Sequence, residues 1–197
     1  MSKFEPLYLH LDSAPAFAGA RQALSYLPRK QHGQFREWLS GVDAYTLHKP
    51  VVRKFARRPT IVSELGEQVQ ADLMDVSARS AHYGGVNFPL VAIDVFSKKV
   101  WVEPLGRKTG KEVSEALFRV LRGRNYRFVQ TDKGREFYNP QVSGVMEKLG
   151  AHHFSTENEN LKATVVERVN KTLRGKIQRY LTYANTHRYI DALPGLV

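Results

Sequence analysis

Two hydrophobic patterns follow one another along residues 66–197. Short runs rich in Val, Ile, Phe and other apolar residues predict strands over 68–76, 88–95, 98–104, 126–131 and 152–155. Apolar positions at helical spacing predict helices over 111–121, 140–149 and 164–183. Thr109 is the expected N-cap of the first helix, and Pro and Gly flank the second. This order predicts an α/β domain, a mixed sheet with helices on its faces.

The segment before this domain carries two shorter helical patterns. One covers 17–27 and the other 31–39, where Phe35, Trp38 and Leu39 fall on one side. Helices this short are marginal alone, so they must pack on each other or on the next domain. We therefore expect a small helical N-terminal region over 1–47, compatible with a helix-turn-helix-like module.

A basic stretch joins the two regions. Residues 48–60 hold two prolines and five Lys or Arg residues but no acid, which predicts an extended linker. The linker is a solvated tether, a strap that contacts phosphates, a nuclear-import signal, or several of these. The sequence thus divides into 1–47, a linker over 48–65 and a core over 66–197. The linker cations predicted to contact DNA are Arg53, Lys54, Arg57 and Arg58.

Composition narrows the class of partner. The chain of 197 residues has 30 Lys and Arg against 19 Asp and Glu, a formal charge of +11. Such an excess favours a polyanion, usually nucleic acid, although a basic protein without such a partner is the alternative. The absence of cysteine excludes disulfides and thiolate zinc sites. No apolar run reaches membrane-span length and no signal peptide is evident, so we expect an intracellular, soluble protein.

Three carboxylates stand where folding alone does not require them. Asp72 lies inside an apolar strand, Asp132 ends another, and Glu167 lies in the first turn of the last helix. A carboxylate within a strand is disfavoured unless something binds it. A hard divalent cation is a suitable partner, because it takes oxygen ligands and offsets the repulsion between clustered acids.

Each of these acids also has a simpler interpretation. Asp132 precedes a turn signal, and taken alone it is better explained as a turn residue. Glu167 could complement the helix dipole, and Asp72 could face solvent on an edge strand. Asp75 and Asp94 are further acids that compete for the same role. The residues by themselves leave the triad open.

Four phrases in order carry a family resemblance: Gln-Ala-Asp at 70–72, Ala-Ile-Asp-Val-Phe-Ser-Lys at 92–98, Gln-Thr-Asp-Lys-Gly-Arg-Glu-Phe at 130–137 and Val-Glu-Arg-Val-Asn-Lys-Thr-Leu at 166–173. With 34 residues between Asp132 and Glu167, they resemble the D,D-35-E core of retroviral and retrotransposon integrases. The flanks at 43–50 and 185–191 look like integrases of Maverick/Polinton DNA transposons.

The resemblance implies a ribonuclease H-like fold with a mixed five-stranded sheet. It implies that Asp72, Asp132 and Glu167 bind two Mg²⁺ or Mn²⁺ ions, with Asp72 bridging them. The implied activity is that of a polynucleotidyl transferase, which processes 3′ ends of transposon DNA and transfers the strands into target DNA. The implied partners are double-stranded DNA, as element ends and target, and further copies of the chain. This activity places the protein in the nucleus.

Two departures from the family pattern affect the flanks. Many relatives carry an N-terminal His-His-Cys-Cys zinc module, which a chain without cysteine cannot form. Relatives also usually continue into a small C-terminal domain, whereas this sequence stops at Val197. We therefore expect a fragment or a degraded copy.

DNA contact is expected along the last helix. Glu167, Lys171, Arg174 and Gln178 share one helical face, although an ordinary solvated cationic face is the alternative. Further expected contacts are Lys133, which follows the second aspartate, and Lys162 with Asn160 in the loop before the helix. His152 and His153 are adjacent in a strand and point to opposite faces, so they are not expected to bind a metal.

Three other functions remain open at this point. A domesticated, non-catalytic DNA-binding relative would keep the fold and the charge. A nuclease of the ribonuclease H type would share the fold and the metals but would cut an RNA–DNA hybrid without joining DNA. A capsid or scaffold protein that coats nucleic acid is supported by charge alone.

Overall fold

The computed structural model describes residues 2–49, 60–77, 84–155 and 164–197. Spatial grouping divides the chain into two compact units, which are Met1–Ala56 with Thr172–Val197, and Arg57–Lys171. We call the first the helical unit and the second the sheet unit. The C-terminal residues are thus grouped with the N-terminal region, whereas the sequence-based division at 47 and 65 follows chain order and stays a prediction.

The sheet unit is built on a mixed sheet, as predicted. Its described strands are β1 (Gln68–Leu73), β2 (Leu90–Asp94), β3 (Val100–Glu103), β4 (Phe128–Gln130) and β5 (His152–Phe154). They lie in the order β3-β2-β1-β4-β5. The β1–β2 and β2–β3 pairs are antiparallel, whereas β1–β4 and β4–β5 are parallel. The central strand β1 therefore runs parallel to β4, and both end at the same edge.

The strands are shorter than the patterns predict, most clearly where β1 and β2 part. The predicted strand over 68–76 ends at Leu73, and its partner begins at Leu90 rather than at residue 88. The Met74 N–H donates to the Pro89 carbonyl at 2.9 Å. Proline has no N–H to return a bond, so the regular ladder stops there.

Helices α5 (Gly110–Leu121) and α6 (Pro140–Leu149) cover one face of this sheet. Val69 and Ala71 of β1 share a buried cluster with apolar residues of both helices. Because side chains alternate along a strand, Gln70 and Asp72 lie on the opposite face. Thr109 is the N-cap of α5, as predicted, and accepts a hydrogen bond from the Glu112 N–H. This core lies on one side of the sheet. We call the other side, which carries Gln70 and Asp72, the polar face, although the paired Ile93 and Val91 are buried there as well.

Both ends of α6 are fixed by local chemistry. Asn139 Oδ1 accepts from the Val142 N–H at 3.0 Å, and Asn139 Nδ2 donates to the Glu136 carbonyl at 2.8 Å. Gly150 ends the helix with φ of 65°, a conformation that costs an L side chain strain. The predicted bounds of α6 are confirmed because Pro140 and Gly150 mark them directly.

Replacing Asn139 with Ala is expected to lower the free energy of unfolding by about 1–2 kcal/mol, because the first turn of α6 loses its cap. The turn over 135–139 loses its side-chain donor as well. Urea denaturation followed by circular dichroism measures the change. Gln141→Ala, at an exposed position in the same turn, is the matched control and should be close to neutral. Equal stability of the two variants would contradict the capping role.

The helical unit contains mostly single-turn helices. Its described helices are α1 (Glu5–Tyr8), α2 (Ala20–Leu24), α3 (His32–Ser40), α4 (Asp43–Thr46), the C-terminal part of α7 (Thr164–Tyr183) and α8 (Leu193–Leu196). The predicted helix over 31–39 is confirmed as α3. The one predicted over 17–27 is reduced to α2, because Phe17 has φ of 52° and Pro28 follows.

Aromatic rings and one arginine form the core of the helical unit. Tyr8 and Phe35 are fully buried and meet edge to face, with ring centroids 6.1 Å apart. Arg179 is buried, donates from Nη1 to the Phe17 carbonyl at 2.9 Å, and lies over the Tyr45 ring. The N-terminal helices therefore pack around the C-terminal part of α7. Among the described residues, no helix is both long and apolar enough to cross a membrane.

Candidate active site

Asp72 lies near the C-terminal end of β1, on the polar face of the sheet. Its Oδ1 accepts from the Leu73 N–H and its Oδ2 accepts from Asn170 Nδ2, both at 2.8 Å. The side chain is partly buried, so the interpretation as a solvent-facing edge residue does not hold for a strand with neighbours on both sides. Asp72 is held in place through both of its carboxylate oxygens.

The other two predicted acids lie in the same unit. Asp132 follows β4, and because Gln70 pairs with Gln130, both aspartates are two residues beyond a paired position at one edge. Asp132 is exposed, and its Oδ1 accepts from the Gly134 N–H at 3.2 Å, so it is a turn residue as well. Glu167 is exposed in the first turn of α7.

The electrostatics link the three acids. The pKa of Asp72 is raised from 3.8 to about 6, first by burial and then by the negative charge of Asp132. Hydrogen bonds from Leu73 and Asn170 lower it in part, and the charge of Glu167 raises it further. The three carboxylates thus share one electrostatic neighbourhood, in which ionising Asp72 is costly.

This neighbourhood is wider than a metal coordination shell. Within residues 2–49, 60–77, 84–155 and 164–197, no three His, Asp or Glu side chains lie close enough to hold one metal ion. The donor chemistry nevertheless fits a hard cation, because carboxylate oxygens predominate and a cation would offset their mutual repulsion. The Asn170 Oδ1 atom is buried and has no hydrogen-bond partner among the described residues. The metal-binding role of the triad remains a prediction.

The two competing acids have structural roles. Asp94 is fully buried and accepts from the Ser97 N–H at 2.6 Å and from the Gly66 N–H at 3.4 Å. Burial raises the pKa of Asp94, but the hydrogen bonds from Ser97 and Gly66 outweigh it, so the pKa is lowered. Asp75 is exposed and accepts from both the N–H and the hydroxyl of Ser77. The charges that raise the pKa of Asp72 are those of Asp132 and Glu167.

Asn170 is a residue of this site that sequence reasoning missed. It is buried on α7, and its amide orients Asp72. Its position three residues after Glu167 puts the two on neighbouring parts of one helical face. The sequence offered one signal, the spacing of three residues between Asn170 and Glu167. That signal is weak, because an asparagine within a helix carries no charge that demands explanation.

Two glutamines on the polar face were missed as well. Gln70 and Gln130 are 1% and 4% exposed, and Gln70 Nε2 donates to Gln130 Oε1 at 2.9 Å. Gln70 Oε1 accepts from the N–H groups of Val165 and Val166 at 3.0 and 3.1 Å. Gln68 Nε2 also donates to Gln130 Oε1, at 2.7 Å. This glutamine network therefore joins β1 and β4 to the first turn of α7.

The predicted DNA contacts are only partly covered by the structure. Lys133 and Lys171 are exposed in the sheet unit, whereas Arg174, exposed, and Gln178, partly exposed, belong to the helical unit. α7 is helical over the predicted range, so the spacing that predicts a common face holds within it. The remaining predicted contacts lie outside the described residues: Arg53, Lys54, Arg57, Arg58, Asn160 and Lys162.

The two adjacent histidines have other partners. His153 Nε2 lies 2.8 Å from the Thr131 hydroxyl, and its ring stacks on Tyr138 with centroids 4.7 Å apart. Burial, together with the charge of His152, lowers the pKa of His153. His152 itself is exposed. Each histidine thus faces a different environment.

The fold is similar to that of a solved integrase domain. The catalytic core domain of BIV integrase matches 67% of this chain and 82% of its own, with a TM-score of 0.52 and 19% sequence identity. The chain has the ribonuclease H-like fold of a retroviral integrase core. The predicted fold class, a mixed five-stranded sheet flanked by helices, is therefore confirmed.

Part of the chain is similar in sequence to one curated protein. The chain is 38% identical over 115 residues to a transposon-derived protein of Caenorhabditis elegans. That match covers 57% of this chain and 40% of the relative, so the chain spans about two fifths of the length of the relative. No family model matches the chain. The finer resemblance to Maverick/Polinton integrases stays a prediction.

Proposed function

We propose that the protein is a DNA integrase, a polynucleotidyl transferase that processes the 3′ ends of a transposon of the Maverick/Polinton class and joins them to target DNA. The observation that carries the proposal is the raised pKa of the Asp72 carboxyl. On an integrase-core fold, its pKa is raised by burial and by the charges of Asp132 and Glu167. Such a concentration of negative charge at one sheet edge is characteristic of a cation-dependent catalytic site.

The three acids differ in solvent exposure, and we assign their roles accordingly. Asp72 is partly buried and fixed by the Leu73 N–H and the Asn170 amide, so it provides a carboxylate of constant orientation. Asp132 and Glu167 are exposed and would have to approach Asp72 to serve as ligands of a shared ion. Two Mg²⁺ or Mn²⁺ ions held by these three acids would lower the pKa of the attacking oxygen and stabilise the leaving oxygen.

The charge distribution suits double-stranded DNA as substrate. The chain carries a formal charge of +11. Lys133 is exposed and directly follows Asp132, and Lys171 is exposed one helical turn after Glu167. Cations beside catalytic acids hold phosphates near the reacting atoms and make binding dependent on salt. We propose further that Arg174 and Gln178 extend this contact, that two or more copies act together to join two DNA ends, and that the reaction takes place in the nucleus.

A DNA-joining assay tests the proposal against its alternatives. The full chain is incubated with a labelled duplex that has recessed 3′-hydroxyl ends and with a supercoiled plasmid, in Mn²⁺, Mg²⁺ or EDTA. Labelled plasmid is expected with either metal and not with EDTA. An RNA–DNA hybrid is tested in parallel.

The other outcomes overturn the proposal in distinct ways. Cleavage of the hybrid without labelled plasmid would identify a nuclease of the ribonuclease H type. Salt-dependent retention of the duplex without any product, in either metal, would identify a non-catalytic DNA-binding protein.

A further inference from the structure

The first turn of α7 is held by a residue that is remote in the chain. The first four N–H groups of a helix have no partner within it, and a nearby Ser, Thr, Asp or Asn usually accepts from them. Here, Gln70 Oε1 accepts from Val165 and Val166, which lie 95 and 96 residues away. A local cap fixes where a helix starts, whereas this long-range cap also fixes the helix against the sheet.

The cap is itself held rigidly. Gln70 is 1% exposed, and a buried amide is costly unless its hydrogen bonds are made. Its oxygen serves two helix N–H groups, and its nitrogen donates to Gln130 Oε1, which Gln68 also contacts. Networks of this kind, with each member satisfied, specify one arrangement of the elements they join.

The residues of the glutamine network lie close to the three acids along the chain. Gln70 precedes Asp72 by two residues within β1, so these two share a face of the sheet. Gln130 is the last residue of β4 and precedes Asp132 by two residues. Glu167 directly follows Val166, whose N–H the network holds. The network therefore ties β1, β4 and α7 together within one or two residues of each acid. A neutral amide does this without adding charge where Asp72 is already costly to ionise.

We infer that Gln70, anchored by Gln130, is a positioning residue that sets the distance of Glu167 from Asp72 and Asp132. The inference rests on the proposed function for its catalytic consequence, but not for its structural one. The structural role of Gln70 is to determine the register of α7 on the sheet. Its catalytic role is to determine how readily the three acids bind a shared cation.

Gln70→Leu tests the inference, with Gln68→Leu as the matched control. Gln68 lies on the same strand and donates to the same Gln130 oxygen, but within the described part of α7 it accepts from no backbone N–H. Amide hydrogen exchange at Val165 and Val166 is expected to rise about tenfold in Gln70→Leu, the factor that one lost hydrogen bond produces. Gln68→Leu should leave it unchanged. Gln130→Leu, which keeps the cap but removes its anchor, should give a smaller increase.

The catalytic consequence is measured separately. The Mn²⁺ concentration for half-maximal joining is expected to rise about 10–100-fold in Gln70→Leu, with a smaller change in the rate at saturating Mn²⁺. A purely structural role would lower the amount of active protein and leave the Mn²⁺ requirement unchanged.

The outcomes separate this inference from the proposed function. Unchanged exchange at Val165 and Val166 in both Gln70→Leu and Gln130→Leu overturns the inference, and the second variant decides if the first does not fold. An equal rise in the Mn²⁺ requirement for Gln68→Leu and Gln70→Leu overturns its catalytic part. Wild-type protein that joins no DNA contradicts the proposed function alone, because the exchange experiment needs no activity.

Discussion

Replacing Asp72 with Asn should reduce metal-dependent DNA joining by roughly three orders of magnitude, the effect of losing several kcal/mol of catalytic metal-ion stabilisation. Asp72 is the acid on which the charges of Asp132 and Glu167 act. An asparagine fills the same volume but carries no negative charge with which to hold a cation. The labelled-plasmid assay in Mn²⁺ measures the loss, and circular dichroism verifies that the variant is folded.

Asp75→Asn is the matched control for this experiment. Asp75 lies three residues further along the same segment, is exposed, and accepts hydrogen bonds from Ser77. Its substitution removes the same charge from the same part of the chain, so joining should stay close to wild type. Equal amounts of joined product from wild type and Asp72→Asn would refute the catalytic role of Asp72 and, with it, the proposed three-carboxylate site.

The helices of the sheet unit could be predicted because local residues mark their ends. Pro140 and Gly150 delimit α6, and Thr109 caps α5, so these bounds follow from neighbouring chemistry. The strands were overestimated because their length depends on the partner. β1 loses its regular pairing opposite Pro89, and the identity of that partner is not visible from β1 itself.

The helical unit could be predicted only in part. α1, α4 and α8 span four residues each, which is too short to show a helical period. Their surroundings come from distant residues, such as Arg179, which reaches the Phe17 carbonyl across 162 positions. Such contacts determine the packing of these turns but leave no pattern in the sequence nearby.

For the site, sequence reasoning found the charged residues and missed the amides. A carboxylate in an apolar strand demands a partner, which is why Asp72 stood out. Gln70 and Asn170 carry no charge, and their importance arises from the N–H groups and the carboxylate that they meet after folding. Asp94 remained a competitor because the donors that satisfy it, from Ser97 and Gly66, become visible only in three dimensions.

Asp72 and Asp94 should affect stability in opposite directions as the pH changes. The pKa of Asp72 is raised in the folded state, from 3.8 to about 6. Below pH 4 the group is protonated in both states and costs nothing. Between about pH 4 and 6 the unfolded state releases this proton more readily, so this group lowers the stability by at most about 3 kcal/mol. The pKa of Asp94 is lowered, so its contribution is gained as the pH rises and lost in acid.

Asp72→Asn should therefore raise the free energy of unfolding at pH 7.5 in EDTA, by up to about 3 kcal/mol, and the gain should vanish below pH 4. The substitution is easily accommodated, because the Asn170 amide can turn its unpartnered Oδ1 towards the new side-chain N–H₂. Asp94→Ala should instead destabilise the protein at pH 7.5 by about 3 kcal/mol, since the N–H groups of Gly66 and Ser97 lose the buried carboxylate that accepts from them. Urea denaturation of both variants across pH 3 to 8 measures these differences. A loss of stability at pH 7.5 in Asp72→Asn would show that its carboxylate is satisfied in the folded state, and would remove the electrostatic reason for a cation at this site.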